Sequence, residues 1–425
     1  MKTDKKNWLH LDLKGIVPEA GCFLDKWLPF IKASGFNGLV LEYDCRIPWK
    51  TWPKAGYPVY THEDVRKINA AGQSCGLEMI PLIQTQGHLE WVLQNAEYQH
   101  LRENGSLREL CPLHPESLPY ILSWIDEVAG LHPGAKYIHL GSDETWDLAT
   151  CPRCREHQDP RGKMGIYLDH VGAACRHAIE LGLVPIIWGD MFWRENAPEL
   201  ISELPTEVIL CDWDYHSTQN PGHEILLTNS THRIIGASGL RCGTPGTLDY
   251  SFKCQAALEP RRANIRAWQD AGVDLLHTVW GRPNNHRPLY PPWFATGNLF
   301  ALAGGNPEFS SEAEKTGIPE QCRRWQQLAE RFQTFSDEYD TFTKVKLAFA
   351  ASASHIGVPQ ASISEEFNKI LHENRMKVLD WCEEVRTFFR DNAISDVEEF
   401  ICERTAFFSI NSADGHLCTG CRFKK

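Results

Sequence analysis

Asp143 and Glu144 stand side by side just after Tyr137-Ile138-His139-Leu140, a short apolar run of β-formers that reads as a buried strand. Gly141 and Ser142 thin the side chains between the run and the two acids. Adjacent carboxylates repel each other and resist burial, so an isolated Asp-Glu pair is most simply an exposed acidic turn. The surroundings here argue otherwise. His139, Asp143, Glu144 and Trp146 crowd onto the end of an apolar strand, and such ends carry the chemistry in β/α barrels.

The elements that must position this group alternate along the chain. Strands are expected at Trp8–Leu13, Gly38–Tyr43, Leu77–Ile83, Tyr137–Leu140, Val184–Trp188, Glu207–Trp213, Arg233–Ala237 and Asp274–Trp280. Helical stretches fall between them at Phe23–Ser34, Leu118–Val128, Gly165–Leu181 and Ala257–Gly272. Another starts after Thr61, an N-cap residue with Asp64 three positions on. Pro292–Ala303 supplies a closing helix, and the unit after the sixth strand is the weakest because Pro221–His232 is short. Eight strands with interleaved helices predict a (β/α)8 TIM barrel over residues 1–305. Gly304-Gly305-Asn306-Pro307 marks a boundary, and residues 306–425 read as a small all-α domain. There Trp325, Leu328, Phe332, Phe335, Tyr339 and Phe342 step by three and four, as core residues of a helix do.

If the strands lie there, their C-terminal ends collect polar and aromatic residues. The second ends at Glu42-Tyr43-Asp44 and the third runs into Gln84-Thr85-Gln86-Gly87-His88. The fifth gives Trp188-Gly189-Asp190, the sixth Trp213-Asp214-Tyr215 and the eighth Trp280-Gly281-Arg282. This describes a deep polar pocket with aromatic walls, which suits a sugar. No glycine-rich phosphate motif follows the first strand, which argues against a nucleotide.

His139-Leu-Gly-Ser-Asp-Glu144 resembles the His-x-Gly-Gly-Asp-Glu signature of the family 20 glycoside hydrolases, the β-N-acetylhexosaminidases. Further segments match in order and are most similar to the hexosaminidase D-like branch. They are His10-Leu-Asp-Leu-Lys-Gly15, Asn37-Gly-Leu-Val-Leu-Glu-Tyr43, Ile80-Pro-Leu-Ile-Gln-Thr-Gln-Gly-His88, Leu131-His-Pro-Gly134 and Trp213-Asp-Tyr215. The resemblance implies an exo-β-N-acetylhexosaminidase that retains configuration and needs no cofactor for catalysis. Glu144 is implied as the general acid, its pKa raised by the like charge of Asp143. Asp143 is implied to orient and polarise the substrate's 2-acetamido group, whose oxygen attacks the anomeric carbon in place of a protein nucleophile. Tyr215 matches the tyrosine that bonds the acetamido oxygen. Trp188, Trp213 and Trp280 match the pocket walls, and His88 and His139 match histidines near the acid. Asp12, Glu42, Asp190 and Asp214 are candidates for sugar hydroxyls or for supporting positions, with core packing or a structural salt bridge as the alternative for each.

The sequence departs from the family pattern in four ways. Ser142 replaces the second signature glycine. The arginine that grips the distal sugar hydroxyls after strand one is replaced by Asp12-Leu-Lys-Gly15. An acidic residue two positions after the last pocket tryptophan is replaced by Arg282. No stretch before the first strand reads as the family's accessory domain. The preference between glucosamine and galactosamine therefore stays open. Two other readings stay open beside the hydrolase: a degenerate barrel that binds amino sugars without cleaving them, and a metal-dependent hydrolase using His88, His139 and Asp143.

Composition bounds the rest. The 425 residues suffice for a barrel of about 250 residues plus an appendage. The net charge of −12 argues against nucleic acid and anionic membranes as partners; the family resemblance implies a small glycan or glycoconjugate as substrate. The helical domain is a candidate surface for a homodimer. The N-terminus lacks an apolar signal region, no run reaches membrane-spanning length, and the 15 cysteines are an odd number set mostly within predicted elements. These features predict a cytoplasmic protein with reduced thiols. Cys151-Pro-Arg-Cys154 and Cys418-Thr-Gly-Cys421 are knuckle-like pairs that would make a structural zinc site if they met; the alternative is two separate pairs of free thiols.

Overall fold

In the computed structural model the described residues are 5–14, 17–228, 231–241, 258–281, 292–356 and 360–395, with 397, 398, 400, 401 and 405. Eight parallel strands close into a barrel in sequence order: β1 (Asn7–Asp12), β2 (Gly38–Glu42), β3 (Glu78–Leu82), β4 (Tyr137–His139), β5 (Val184–Trp188), β6 (Ile209–Trp213), β7 (Arg233–Arg241) and β8 (Asp274–Val279). All eight lie where the apolar runs predict them. β6 starts two residues later than predicted, and β7 continues four residues further.

The register explains how the barrel sorts its side chains. Trp8 pairs with Gly38, His10 with Val40 and Asp12 with Glu42, and β1 closes on β8 through Trp8 with Leu276 and His10 with Thr278. Alternate residues face inward, so Trp8, Val40, Ile80, Leu82, Ile186, Ile209, Cys211, Ile235 and Leu276 fill the interior. The opposite faces and the surrounding helices share the larger apolar core. The same alternation brings Asp12, Glu42, His139, Trp188 and Trp213 onto the inner face towards the C-terminal ends, so strand ends and pocket candidates coincide.

The helix over His62–Ser74 begins with the capping box expected from Thr61 and Asp64, each side chain pairing with the other's backbone N–H. Ser117–Leu131, Lys163–Glu180 and Leu258–Asp270 form the other long barrel helices. Two predicted helices differ in form. Phe23–Ser34 contains a π-helical segment at Phe23–Trp27, and Pro292–Ala303 is two short helices, Pro292–Ala295 and Leu299–Ala303. Between β6 and β7 the described residues form one single-turn helix, Glu224–Leu227, as the short spacing implied.

Beyond the barrel, Ile318–Ile356 and Gln360–Asp391 pair as two long helices. Trp325 packs on Phe388, and Trp381 packs on Phe332 and donates to the Leu328 carbonyl at 2.9 Å. Phe388 also meets Phe294 of the barrel, at a ring separation of 5.2 Å. One continuous apolar core thus runs from the barrel helices into the pair.

Candidate active site

The chain turns sharply after β4. Gly141, Ser142 and Glu144 all have positive φ, at 61°, 72° and 50°. Only glycine adopts that region freely, so the serine and the glutamate hold strained backbone of the kind that collects at functional sites. Gly141 is needed for a second reason: a Cβ there would lie 2.0 Å from Gln84 Oε1. Ser142 takes its glycine-like conformation with support. Its hydroxyl lies 2.5 Å from Thr85 Oγ1 and donates to the Leu140 carbonyl, and Tyr167 donates to the Ser142 carbonyl at 3.1 Å. Gly87 lets the loop after β3 run against this turn, since a Cβ would come within 2.3 Å of the Asp143 carbonyl.

The turn delivers both carboxylates to one histidine. His88 Nε2 lies 3.2 Å from Asp143 Oδ2 and 3.4 Å from Glu144 Oε2. Burial alone would lower the His88 pKa, but Asp143 and Glu144 outweigh it and hold the imidazolium well above its ordinary range. Two arginines complete the surround. Arg108 Nη2 is 3.5 Å from Glu144 Oε2 while its Nε donates to Glu90, and Arg194 Nη2 is 3.6 Å from Glu144 Oε1. Asp190 is buried beneath them and accepts both the Glu144 backbone N–H and Arg194 Nε, each at 3.0 Å. Burial and the neighbouring Asp143 raise the Asp190 pKa to about 7.

The expected raised pKa of Glu144 is not what this geometry gives. Burial favours the neutral carboxyl, but the hydrogen bond and charge of His88, with Arg108 and Arg194, outweigh it and hold the pKa below the ordinary glutamate value. The expectation weighed only the like charge of Asp143. The two arginines come from segments distant in sequence, Arg108 from the loop after β3 and Arg194 from the short helix after β5, and the sequence reading left them without a role.

The predicted walls form a linked series. Arg194 stacks over Trp146, Trp193 and Trp213, with its guanidinium carbon 5.3 Å from the Trp213 ring. Trp213 stacks on Tyr215, and Trp280 Nε1 donates to the Tyr215 hydroxyl at 3.1 Å. Trp280 then packs beside Trp188, and Trp188 beside His139. The Tyr215 segment is clamped from outside, because Asn264 and Trp268 both donate to the Asp214 carbonyl and Arg261 to that of Tyr215. Six buried polar atoms of this group have no protein partner: Asp143 Oδ1, Asp190 Oδ1, His139 Nε2, Trp188 Nε1, Trp193 Nε1 and Trp213 Nε1. Unmet buried acceptors and donors invite a polar ligand.

The other candidates divide by place. His139 is fully buried beside Trp188: its Nδ1 accepts from the Gly141 N–H, and burial lowers its pKa to about 3, so it is neutral. Asp214 turns its carboxylate onto the N–H groups of His216, Ser217 and Gly222 and so shapes its own loop. Asp12 and Glu42 join a buried network around Lys14, whose ammonium lies 2.6 Å from Glu42, 3.2 Å from Asp44 and 3.7 Å from Asp12. His10 and Gln84 also bond Glu42, while burial raises Asp12 to about 6 against the pull of Lys14. Lys14 Nζ sits 5.8 Å from the Trp280 ring centre, which ties this network to the wall.

Sequence reasoning gave no role to Arg108, Arg194 or Lys14. Arg194 stands four residues after Asp190 on the short helix Asp190–Arg194, a spacing that pairs charges and was legible. Arg108 had no such signal. Of the cysteines, Cys418 and Cys421 lie outside the described residues, as does Arg282. Cys151 and Cys154 come together with Cys111 and Glu103, neither of which the sequence reading singled out. His88, His139 and Asp143 do not converge in a metal-binding group among the described residues.

A closed parallel barrel with paired carboxylates at the end of β4 and tryptophan walls around them has the architecture of a barrel glycoside hydrolase. Residues 40–242 match the glycosyl hydrolase family 20 catalytic domain. The chain is 34% identical over 215 residues to hexosaminidase D of Bos taurus, covering 49% of this chain and 62% of that protein. It is 33% identical over 250 residues to hexosaminidase D of Homo sapiens, covering 56% of this chain and 49% of that protein. The chain thus spans about half to three fifths of the relatives it matches. The fold is similar to that of a β-N-acetylhexosaminidase from Bacteroides fragilis, with a TM-score of 0.52 at 19% identity over 76% of this chain and 71% of the other.

Proposed function

We propose that this protein is an exo-β-N-acetylhexosaminidase that removes terminal β-linked N-acetylglucosamine or N-acetylgalactosamine with retention, using the substrate's own acetamido group as nucleophile. The observation that carries this reading is the division of labour at the turn after β4. Glu144 is half-exposed among three cations, whereas Asp143 is buried, with one oxygen on His88 and the other without a partner. That free acceptor suits an acetamido N–H, and Tyr215 suits the amide oxygen at the other end.

The steps follow from the residues. Asp143 takes the N–H and stabilises positive charge as the amide oxygen attacks the anomeric carbon. Glu144 gives its proton to the glycosidic oxygen as that bond breaks, and the cyclised oxazolinium forms. Glu144 then accepts a proton from the water that opens the ring. For the acid step Glu144 must be protonated, which its cationic surround opposes in the free protein. A sugar seated on the carboxyl displaces solvent and restores the desolvation that favours the neutral form. Neither step calls on a cofactor. Further parts of the reading are a cytoplasmic protein, a catalytic barrel over 1–305 with a helical domain over 306–425, and a homodimer through that domain. Ten free cysteines among the described residues support a reducing compartment, and no helix there is long and apolar enough to cross a membrane.

The test is a panel of aryl β-glycosides sharing one leaving group. The 2-acetamido sugars should turn over and the 2-hydroxyl sugars should not, by a factor of at least about 10³ if the nucleophile is lost with the amide. Comparable cleavage of the glucoside would contradict the reading, and binding of the amino sugars without turnover would favour the degenerate barrel.

A further inference from the structure

We propose that Glu103, Cys111, Cys151 and Cys154 bind a structural zinc ion that ties the loop after β3 to the loop after β4. Their ligand atoms all lie within 4.8 Å of one another, and all four residues are buried. Cys111 Sγ is 3.7 Å from both Cys151 Sγ and Cys154 Sγ, and Cys154 Sγ is 3.3 Å from Glu103 Oε2. Zinc–sulfur bonds of about 2.3 Å in a tetrahedron set sulfur–sulfur edges of about 3.8 Å, so the cluster already has the spacing of a four-coordinate site. The separations far exceed a disulfide bond, so the thiols are not joined in pairs.

The surroundings fit a metal better than four stray polar groups. Glu103 makes no ion pair among the described residues, and a buried carboxylate without a cation is costly. Its other oxygen, Oε1, accepts the Cys151 N–H at 2.6 Å, which fixes the carboxylate with Oε2 facing the sulfurs. The Cys154 N–H lies 3.4 Å from Cys151 Sγ, and Arg153 Nη1 lies 3.5 Å from Cys111 Sγ, so donors already face sulfurs that would carry negative charge. Binding would release the thiol protons to solvent, and the closed donor set leaves no position for substrate.

The ion would join two segments that otherwise meet through few bonds. Glu103 and Cys111 flank a narrow hairpin in which Arg102 bridges Leu110 and Glu103 N bonds the Glu109 carbonyl. Cys151 and Cys154 open the helix Pro152–His157. Between these pairs of ligands the hairpin carries Arg108 to Glu144, and Glu109 accepts the Asp147 N–H at 2.9 Å. The metal would therefore fix the arginine's approach to Glu144, a consequence that rests on the active-site reading above; the metal site itself does not.

The test uses the full chain, expressed in zinc-replete medium and assayed for metal content by mass spectrometry. About one zinc per chain is expected. Replacement by cobalt should give thiolate-to-cobalt charge-transfer absorption and the strong visible bands of a tetrahedral centre. Glu103→Gln and Cys111→Ser should lower the zinc content, whereas the exposed-site change Cys75→Ser and the double change Cys418→Ser, Cys421→Ser should retain it. Metal-free protein whose spectrum stays blank with excess cobalt would overturn the proposal, and so would loss of zinc in the Cys418, Cys421 double variant alone. Both readouts are independent of glycosidase activity, and the cobalt spectrum needs no variant to fold.

Discussion

Asp190 holds Glu144 by its backbone: Oδ2 accepts the Glu144 N–H at 3.0 Å while the same oxygen accepts Arg194 Nε at 3.0 Å. The positive φ of Glu144 makes this bond consequential, because a strained turn needs an anchor to persist. Asp190 thus holds the turn that carries the proposed acid.

Removing the anchor should slow chemistry more than binding. Asp190→Ala is expected to lower kcat by about 10²-fold, the order of loss that a displacement near 1 Å brings, with a smaller change in KM. Asp190→Asn, which keeps an acceptor for the Glu144 N–H, should recover part of the loss. Steady-state kinetics on one aryl N-acetylglucosaminide would check this. Equal loss in both variants would make the charge of Asp190, rather than the backbone bond, the deciding feature.

The pH profile should report the cations. Glu144 acts as an acid only when protonated, and His88, Arg108 and Arg194 lower its pKa in the free protein. kcat/KM should therefore fall as pH rises through that depressed pKa. Arg194→Ala removes one cation, so the pKa should rise and the falling limb should move to higher pH. An unmoved or acid-shifted limb would mean that the limb belongs to another group.

The Lys14 network should be a point of fragility. Its ammonium serves three buried carboxylates, Asp12, Glu42 and Asp44. Lys14→Met fills the volume but leaves those acids without their cation, for a cost of about 3–5 kcal/mol. Denaturant unfolding at neutral pH would measure it. The loss should shrink as the pH falls and the carboxyls protonate, because Asp12, already raised to about 6, becomes neutral early.

The barrel was readable because β/α periodicity and burial coincide: each strand is an apolar run whose alternation survives from Trp8 to Leu276. Asp143, Glu144 and His88 were readable because one turn and one strand end bring them together. Arg108 was not, since it reaches Glu144 from a hairpin 36 residues earlier whose fold depends on tertiary contacts. The same limit hid Cys111 and Glu103. Cys151-x2-Cys154 announces itself by spacing, but its partners lie 40 or more residues upstream with no motif of their own. The raised pKa expected for Glu144 failed for that reason too, because its sign is set by cations distant in sequence.

The central claim is that the substrate's amide oxygen is the nucleophile, with Asp143 stabilising the charge that develops on its nitrogen. It is tested most directly with aryl β-glucosaminides whose N-acetyl group carries zero, one, two or three fluorines. Fluorine drains electron density from the amide oxygen while scarcely changing its reach. The account predicts that kcat/KM falls steeply and progressively with each fluorine, at an unchanged leaving group. A flat series, with the trifluoroacetyl sugar cleaved as fast as the acetyl sugar, would contradict it and place the nucleophile on the protein.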